Sequence, residues 1–242
     1  MLTSDISTCC KQLRLSRNMA ENSEKISAKT HQDYLLKLLR LEIEHRENAR
    51  RERMIKGAGF YSLKSFETFR FDDVILPAGI TPEYLKECEF LEEKKNLVFY
   101  GNIGAGKTHL AIALGLEACR LGKSVKFFRT AALVNKLSEA KKSKDLSTFM
   151  KKIMKANMLI FDEWGYVPLD RDGAQLLFEI VSECYERKSI VITTNIEFSR
   201  WVNVLYDEQM TGALLDRLLH HCYLLIFEGE SERMKTSLVR QG

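Results

Sequence analysis

The 242-residue chain lacks several things that would each have set its class. Its six cysteines, Cys9, Cys10, Cys88, Cys119, Cys184 and Cys222, contain no C-x-x-C pair, which excludes zinc-ribbon and thioredoxin spacing. No apolar run approaches the ~18–20 residues of a membrane span, so no membrane partner is expected. Lys11, Arg14 and Arg17 occur near the start without an apolar h-region or cleavage signal, and Asp5, Glu21 and Glu24 count against a transit peptide. The expected compartment is a reducing cytoplasm, and Cys119 and Cys184, in amphipathic helical stretches, read as small core residues. His220-His221-Cys222 resembles a metal cluster, but adjacent histidines point different ways and no carboxylate stands at i+4, so no metal is expected there. No internal repeat or low-complexity tract occurs. A net charge of +4 argues only weakly for an anionic partner.

What is present suits one α/β domain with a small appendage. Hydrophobic residues make up 45% of the chain, enough for a core, and charged residues 29%. The organising stretch runs from Asn96 to Leu110. Leu97–Tyr100 has the composition of a buried strand, and Gly101-x-x-x-x-Gly106-Lys107-Thr108 matches the phosphate-binding loop without a mismatch. Glycines let backbone N–H groups close on phosphate oxygens, Lys107 can reach the terminal phosphates, and Thr108 offers a hydroxyl to Mg²⁺. A helix over Leu110–Leu121 points its N-terminal dipole at the triphosphate.

A second landmark is Met158-Leu-Ile-Phe-Asp162-Glu163, a buried strand opening into a crevice through two carboxylates. Asp162 can hold Mg²⁺ as the acidic partner of Thr108, and Glu163 can polarise an attacking water. Ser189–Asn195 is a further strand ending in polar groups, and Asn195 could orient the water or touch the γ-phosphate. Strands are also expected over Ser124–Arg129 and Cys222–Phe227, and helices over Ala131–Lys142, Asp170–Lys188 and Ala213–His221.

Ahead of the loop, residues 1–30 read as a short helix or a disordered lead. Thr30 then caps a helix with Asp33 at its third position, and Gly57 and Gly59 end it. Between Arg40 and Lys56 six Arg and Lys face four Glu, with Glu42 and Glu47 placed four residues before arginines. A solvated helix laced with ion pairs and a basic arm lying along nucleic-acid phosphates both fit. The arm would use Arg46, Arg50, Arg51 and Arg53. Lys136, Lys141 and Lys142 open a second lysine-rich stretch, opposed up to Lys155 only by Glu139 and Asp145. Phe69-Arg-Phe-Asp72 could bring an aromatic to the nucleotide base or pack the linker on the core. The expected division is a helical N-terminal domain over 1–59, the candidate DNA-binding part, a linker and start of the ATPase domain over 60–95 and an ATPase core over 96–242.

Strand, phosphate loop, Asp-Glu strand, Asn-ended strand and Asp-Arg-Leu helix, in that order, resemble an AAA+ ATPase. Gly101-Asn-Ile-Gly-Ala-Gly-Lys-Thr-His-Leu-Ala, Phe161-Asp-Glu-Trp-Gly-Tyr-Val-Pro-Leu-Asp, Gly173-Ala-Gln-Leu-Leu-Phe-Glu, Ala213-Leu-Leu-Asp-Arg-Leu-Leu-His-His and Gly229-Glu-Ser are more specific. They resemble IstB, the helper ATPases of insertion sequences, in the clade shared with the DnaC helicase loader. Trp164 departs from the aliphatic residue usual there.

The resemblance implies an α/β fold: a P-loop AAA+ parallel five-stranded sheet flanked by helices, with a small N-terminal helical domain. The 15 residues after Phe227 are too few for a helical lid, so little or no C-terminal lid is expected. Gly101, Asn102, Ile103, Gly104, Ala105, Gly106, Lys107, Thr108 and His109 would bind ATP, with Mg²⁺ on Thr108 and Asp162. Glu163 would act on the water, Asn195 as the sensor, and Arg217 as an arginine finger reaching a neighbour's ATP in a homo-oligomer. The implied partners are duplex DNA and an IstA-type transposase. A helicase loader using the same core is the alternative, and a small-molecule kinase is disfavoured because no acceptor-binding lid is evident.

Overall fold

The computed structural model describes residues 2–16, 18–229 and 231. The chain divides into two compact units, Met1–Arg53 and Met54–Gly242. In the first, α1 (Leu2–Gln12), α2 (Asn18–Lys25) and most of α3 (His31–Ala58) are helical, so the start of the chain is ordered helix. Thr30 caps α3 as expected, its hydroxyl accepting from the Asp33 amide at 3.1 Å. The unit is fastened by Glu42, which is buried. Its carboxylate accepts from the Ser16 amide at 3.0 Å and hydroxyl at 2.5 Å, and from Arg46 Nε at 2.7 Å. Arg46 also donates to the Arg14 carbonyl at 2.6 Å.

The division falls inside α3, which itself runs on to Ala58. Met54 and Ile55 are the first residues after the charged run, and they pack with the core of the second unit. That unit continues through β1 (Val74–Ile75), α4 (Pro82–Lys86), α5 (Glu89–Glu92), β2 (Asn96–Gly101), α6 (Lys107–Arg120), β3 (Val125–Arg129), α7 (Thr130–Lys142), α8 (Leu146–Ile153), β4 (Met158–Trp164), α9 (Arg171–Cys184), β5 (Ser189–Thr194), α10 (Val202–Leu205), α11 (Glu208–His220) and β6 (Cys222–Phe227). Helix α9 stops at Cys184, short of the expected Lys188, where the backbone turns out of helix at Tyr185.

The sheet order is β1-β6-β2-β5-β4-β3. The five expected strands are all parallel, and the two-residue β1 adds an antiparallel sixth on the β6 edge. So short a strand carries no periodicity to read.

Both faces of the sheet are covered, which is why its strands read as continuous apolar runs. Leu97, Phe99, Met158, Ile160 and Val191 face the layer containing α4, α5 and α6. Val98, Leu159, Phe161, Ile190 and Ile192 face the layer containing α7 to α11. Parallel pairing of β2 with β5 and of β5 with β4 places their carboxyl ends side by side, and the polar residues collect there.

Candidate nucleotide site

Strand β2 lies between β6 and β5, and its last residue, Gly101, opens the loop into α6. Gly101 has φ +148°, and a Cβ on it would collide with the Phe227 carbonyl of β6. Gly104 has φ +83°, and a Cβ there would fall on the Ser231 hydroxyl. Backbone freedom and close approach therefore both require glycine in this loop. Lys107 lies folded over the loop, its ammonium donating to the Gly101 and Asn102 carbonyls at 2.7 and 2.6 Å. The orphan N–H groups of the first turn of α6 face the same side, an anion-binding arrangement.

Asp162, 1% exposed, stands at the end of β4. One carboxylate oxygen accepts from Thr108 Oγ1 at 2.8 Å and from Thr193 Oγ1 at 2.5 Å. Its own carbonyl accepts from Thr130 Oγ1 at 2.9 Å. A hydroxyl and a carboxylate joined in this way form an all-oxygen donor set, which suits Mg²⁺. The residues present therefore fit that ion.

Consecutive residues of a strand point to opposite faces, so Asp162 and Glu163 could not ordinarily serve one site. A register slip resolves this. Phe161 pairs with Ile192 but Trp164 with Thr194, leaving Asp162 and Glu163 together opposite Thr193. Glu163 takes φ +58°, and its amide donates to Thr193 Oγ1 at 3.0 Å. An extra residue in a strand re-aims a side chain, and here it turns the second carboxylate toward the cleft. The Glu163 carboxylate lies 3.7 Å from Arg129 Nε, and the Arg129 guanidinium sits 5.0 Å over the Tyr61 ring.

The cleft is lined by Ile103, Gly104, Lys107, Thr108, Glu163, Tyr166, Thr193, Thr194 and Asn195. Groups expected from the loop, the Asp-Glu strand and the Asn-ended strand thus meet in one place. A wider depression of about 790 Å³ runs along one face of α9, but the cleft residues take no part in it.

Other expected site residues lie elsewhere. The His109 imidazole turns to the linker, 3.0 Å from the Ser65 carbonyl and beside the Phe69 ring, so its side chain does not line the cleft. Phe69 packs against Phe71 and Phe227 as well, with its ring also beside Gly106. Arg217 is on α11, where it donates to the Ala213 carbonyl at 2.8 Å and stacks 5.0 Å from the Phe178 ring of α9. It too is absent from the cleft lining. Arg50, Arg51 and Arg53 are exposed on α3, with Arg51 3.8 Å from Glu47 and Arg53 Nε on the Ala49 carbonyl at 3.1 Å. Lys136, Lys141 and Lys142 are exposed on α7, and Lys141 pairs with Asp172 at 3.3 Å. Trp164 is buried, its ring 5.1 Å from that of Trp201, so its large side chain belongs to the core. Of the segment after β6, Glu228, Gly229 and Ser231 are described; Arg17, Glu230, Arg233 and Lys235 lie outside the described residues.

The sequence reading missed Thr193, Thr130 and Arg129. The only available signal was the Thr-Thr pair closing the Ile190–Ile192 run, where aliphatics would extend a purely structural strand.

Comparison with known proteins places this geometry in context. The family of IstB-like ATP binding proteins matches residues 8–239. A protein named for ATP binding in insertion sequence IS232 of Bacillus thuringiensis is 35% identical over 211 residues, 86% of this chain and 83% of that one. Its counterpart in IS21 of Pseudomonas aeruginosa is 35% identical over 208 residues, 85% of this chain and 77% of that one. Among solved structures, the replication initiator DnaA bound to AMPPCP and single-stranded DNA superposes with a TM-score of 0.55 at 21% identity, covering 71% of this chain and 52% of that one. DnaI gives 0.55 at 21%, covering 70% and 90%. These two likenesses establish the AAA+ fold alone. Among the described residues no helix is long and apolar enough to cross a membrane.

Proposed function

The chain belongs to the IstB-like ATP-binding proteins of insertion sequences, and from that premise we propose that it is a Mg²⁺-dependent ATPase that assembles on duplex DNA and prepares it for a partner transposase. The observation that carries the reading is the buried Asp162 carboxylate bound to Thr108 of the phosphate loop, with Glu163 turned into the same cleft by the strand's register slip.

Each residue then has a task. The loop amides and Lys107 hold the phosphates, Lys107 exchanging its two loop carbonyls for phosphate oxygens. Thr108 and Asp162 would hold Mg²⁺, which when bound neutralises charge on the β- and γ-phosphate oxygens. Glu163 takes a proton from the attacking water, and Asn195 orients that water from the neighbouring strand end. Thr193 keeps both acidic residues in place. Arg217 lies outside its own cleft, and a fork-shaped guanidinium on α11 fits a role at a neighbouring subunit's ATP.

The test uses three variants. Lys107→Ala should lose nucleotide binding, and Glu163→Gln should bind ATP but turn it over roughly 10²-fold more slowly or worse, prolonging the DNA-bound assembly. Arg217→Ala should bind ATP and hydrolyse it poorly, and mixing it with Glu163→Gln should restore activity by pairing intact residues across interfaces. Normal turnover by Glu163→Gln, or no recovery in assembled mixtures, defeats the corresponding assignment. Absence of duplex binding together with a stable complex with a hexameric helicase would replace the reading by that of a helicase loader.

A further inference from the structure

The sequence offered His220-His221 without a carboxylate at i+4, and the tertiary structure brings one from another element. Glu186, in the turn after α9, lies with its carboxylate oxygen 3.5 Å from His221 Nε2. The two imidazoles are 4.1 Å apart at their centroids, and one ligand atom from each of Glu186, His220 and His221 lies within 4.8 Å of the others. Among the described residues this is the one such group. We propose that Glu186, His220 and His221 form a binding site for a divalent transition metal of the zinc class, with the remaining position open to water.

The chemistry of the donors selects the metal. Two imidazoles and one carboxylate suit zinc and its borderline neighbours, while magnesium and calcium take oxygen ligands. Tetrahedral zinc with bonds of about 2.0–2.2 Å places its ligand atoms about 3.4 Å apart. The present spacing reaches that by side-chain rotation, open to Glu186 and His220 because both are exposed. A second partner already orients His220: its Nδ1 lies 2.8 Å from the Tyr185 hydroxyl, leaving Nε2 for a metal. One contact opposes binding. Lys95 Nζ is 3.4 Å from His221 Nδ1, and that nitrogen must carry a proton once Nε2 holds a metal. The ammonium therefore has to swing away.

The site joins the turn after α9 to the last residue of α11, His220, and the residue that follows it, His221. Arg217, one turn earlier on α11, already stacks on Phe178 of α9, so a bound metal clamps the same pair of elements.

The experiment titrates untagged, nucleotide-free, chelator-treated full chain with Zn²⁺ by calorimetry and with Co²⁺ by absorption. One equivalent should bind, at least tenfold more weakly in His220→Ala and in His221→Ala, and more weakly in Glu186→Gln. Lys95→Met should bind severalfold more tightly, a gain that unfolding cannot imitate. Unchanged circular dichroism and ATP binding in the variants separate ligand loss from misfolding. Bound Co²⁺ should show the bands of a tetrahedral nitrogen–oxygen site. The proposal is overturned by no Zn²⁺ binding in the wild type, by unchanged affinity in the double histidine variant, or by a thiolate charge-transfer band, which would assign the metal to a cysteine.

Discussion

Replacing Thr193 by valine removes one hydroxyl and two hydrogen bonds that together order both acidic residues of the cleft. The hydroxyl donates to the Asp162 carboxylate at 2.5 Å and accepts from the Glu163 amide at 3.0 Å, and Thr193 is only 2% exposed. A hydrogen bond to a charged group contributes roughly 1.5–3 kcal/mol and a neutral one about 1, and water cannot replace either partner at such burial. Thr193→Val is therefore expected to cost about 3 kcal/mol in equilibrium urea unfolding, whereas Thr193→Ser, which keeps the hydroxyl, costs about 1. The functional loss should exceed what stability explains. With Asp162 and Glu163 both released, kcat falls at least about tenfold, about 1.4 kcal/mol of barrier. The Mg²⁺ concentration for half-maximal turnover should rise, and the serine variant should restore it. A valine variant within about 0.5 kcal/mol of wild type, with unaltered turnover and Mg²⁺ dependence, refutes the view that this hydroxyl organises the site.

Three other expectations follow from individual contacts. Trp164 Nε1 is buried without a hydrogen-bond partner, so Trp164→Phe removes an unsatisfied donor while leaving a small void; the two effects should cancel to within about 1 kcal/mol in urea unfolding, against about 3–5 for Trp164→Ala. Burial alone would push the Glu42 carboxyl up, but the Ser16 hydroxyl and amide and the Arg46 guanidinium outweigh it and hold it below its ordinary 4.5. Its stabilisation is then complete above about pH 4.5 and is lost as pH falls through the lower folded value, so the stability gap between wild type and Glu42→Gln should shrink below that pH and not above it. For DNA, each neutralised phosphate contributes about −0.9 to the log–log salt slope. Charge reversal at Arg50 and Arg51 should flatten the slope if α3 is the contact surface, the same change at Lys141 and Lys142 if α7 is, and a slope unmoved by either rules out both surfaces.

The sequence by itself determined what is local and contiguous. The phosphate loop, the Asp162–Glu163 strand end, the Thr30 cap and the five parallel strands are each written within a few consecutive residues, because a loop glycine or an apolar run acts through its own backbone. The bounds of α6 and α7 were legible to within a few positions for the same reason, but α9 ended early where Tyr185 leaves the helix, α11 begins at Glu208 rather than the expected Ala213, and the short α8 and α10 were not read. The tertiary structure decided whatever depends on register and on distant partners. That Thr193 lies opposite both carboxylates follows from a one-residue slip between β4 and β5, which no periodicity announces. The Glu42–Arg46 pair follows from i,i+4 spacing, but that Arg46 also reaches the Arg14 carbonyl, and Lys141 Asp172, is set by packing, so a run of basic residues does not reveal every partner. Glu186 reaches His221 only because α9 and α11 lie side by side. Short-range chemistry is carried by the chain's own order, and long-range pairing exists only once two elements share a core.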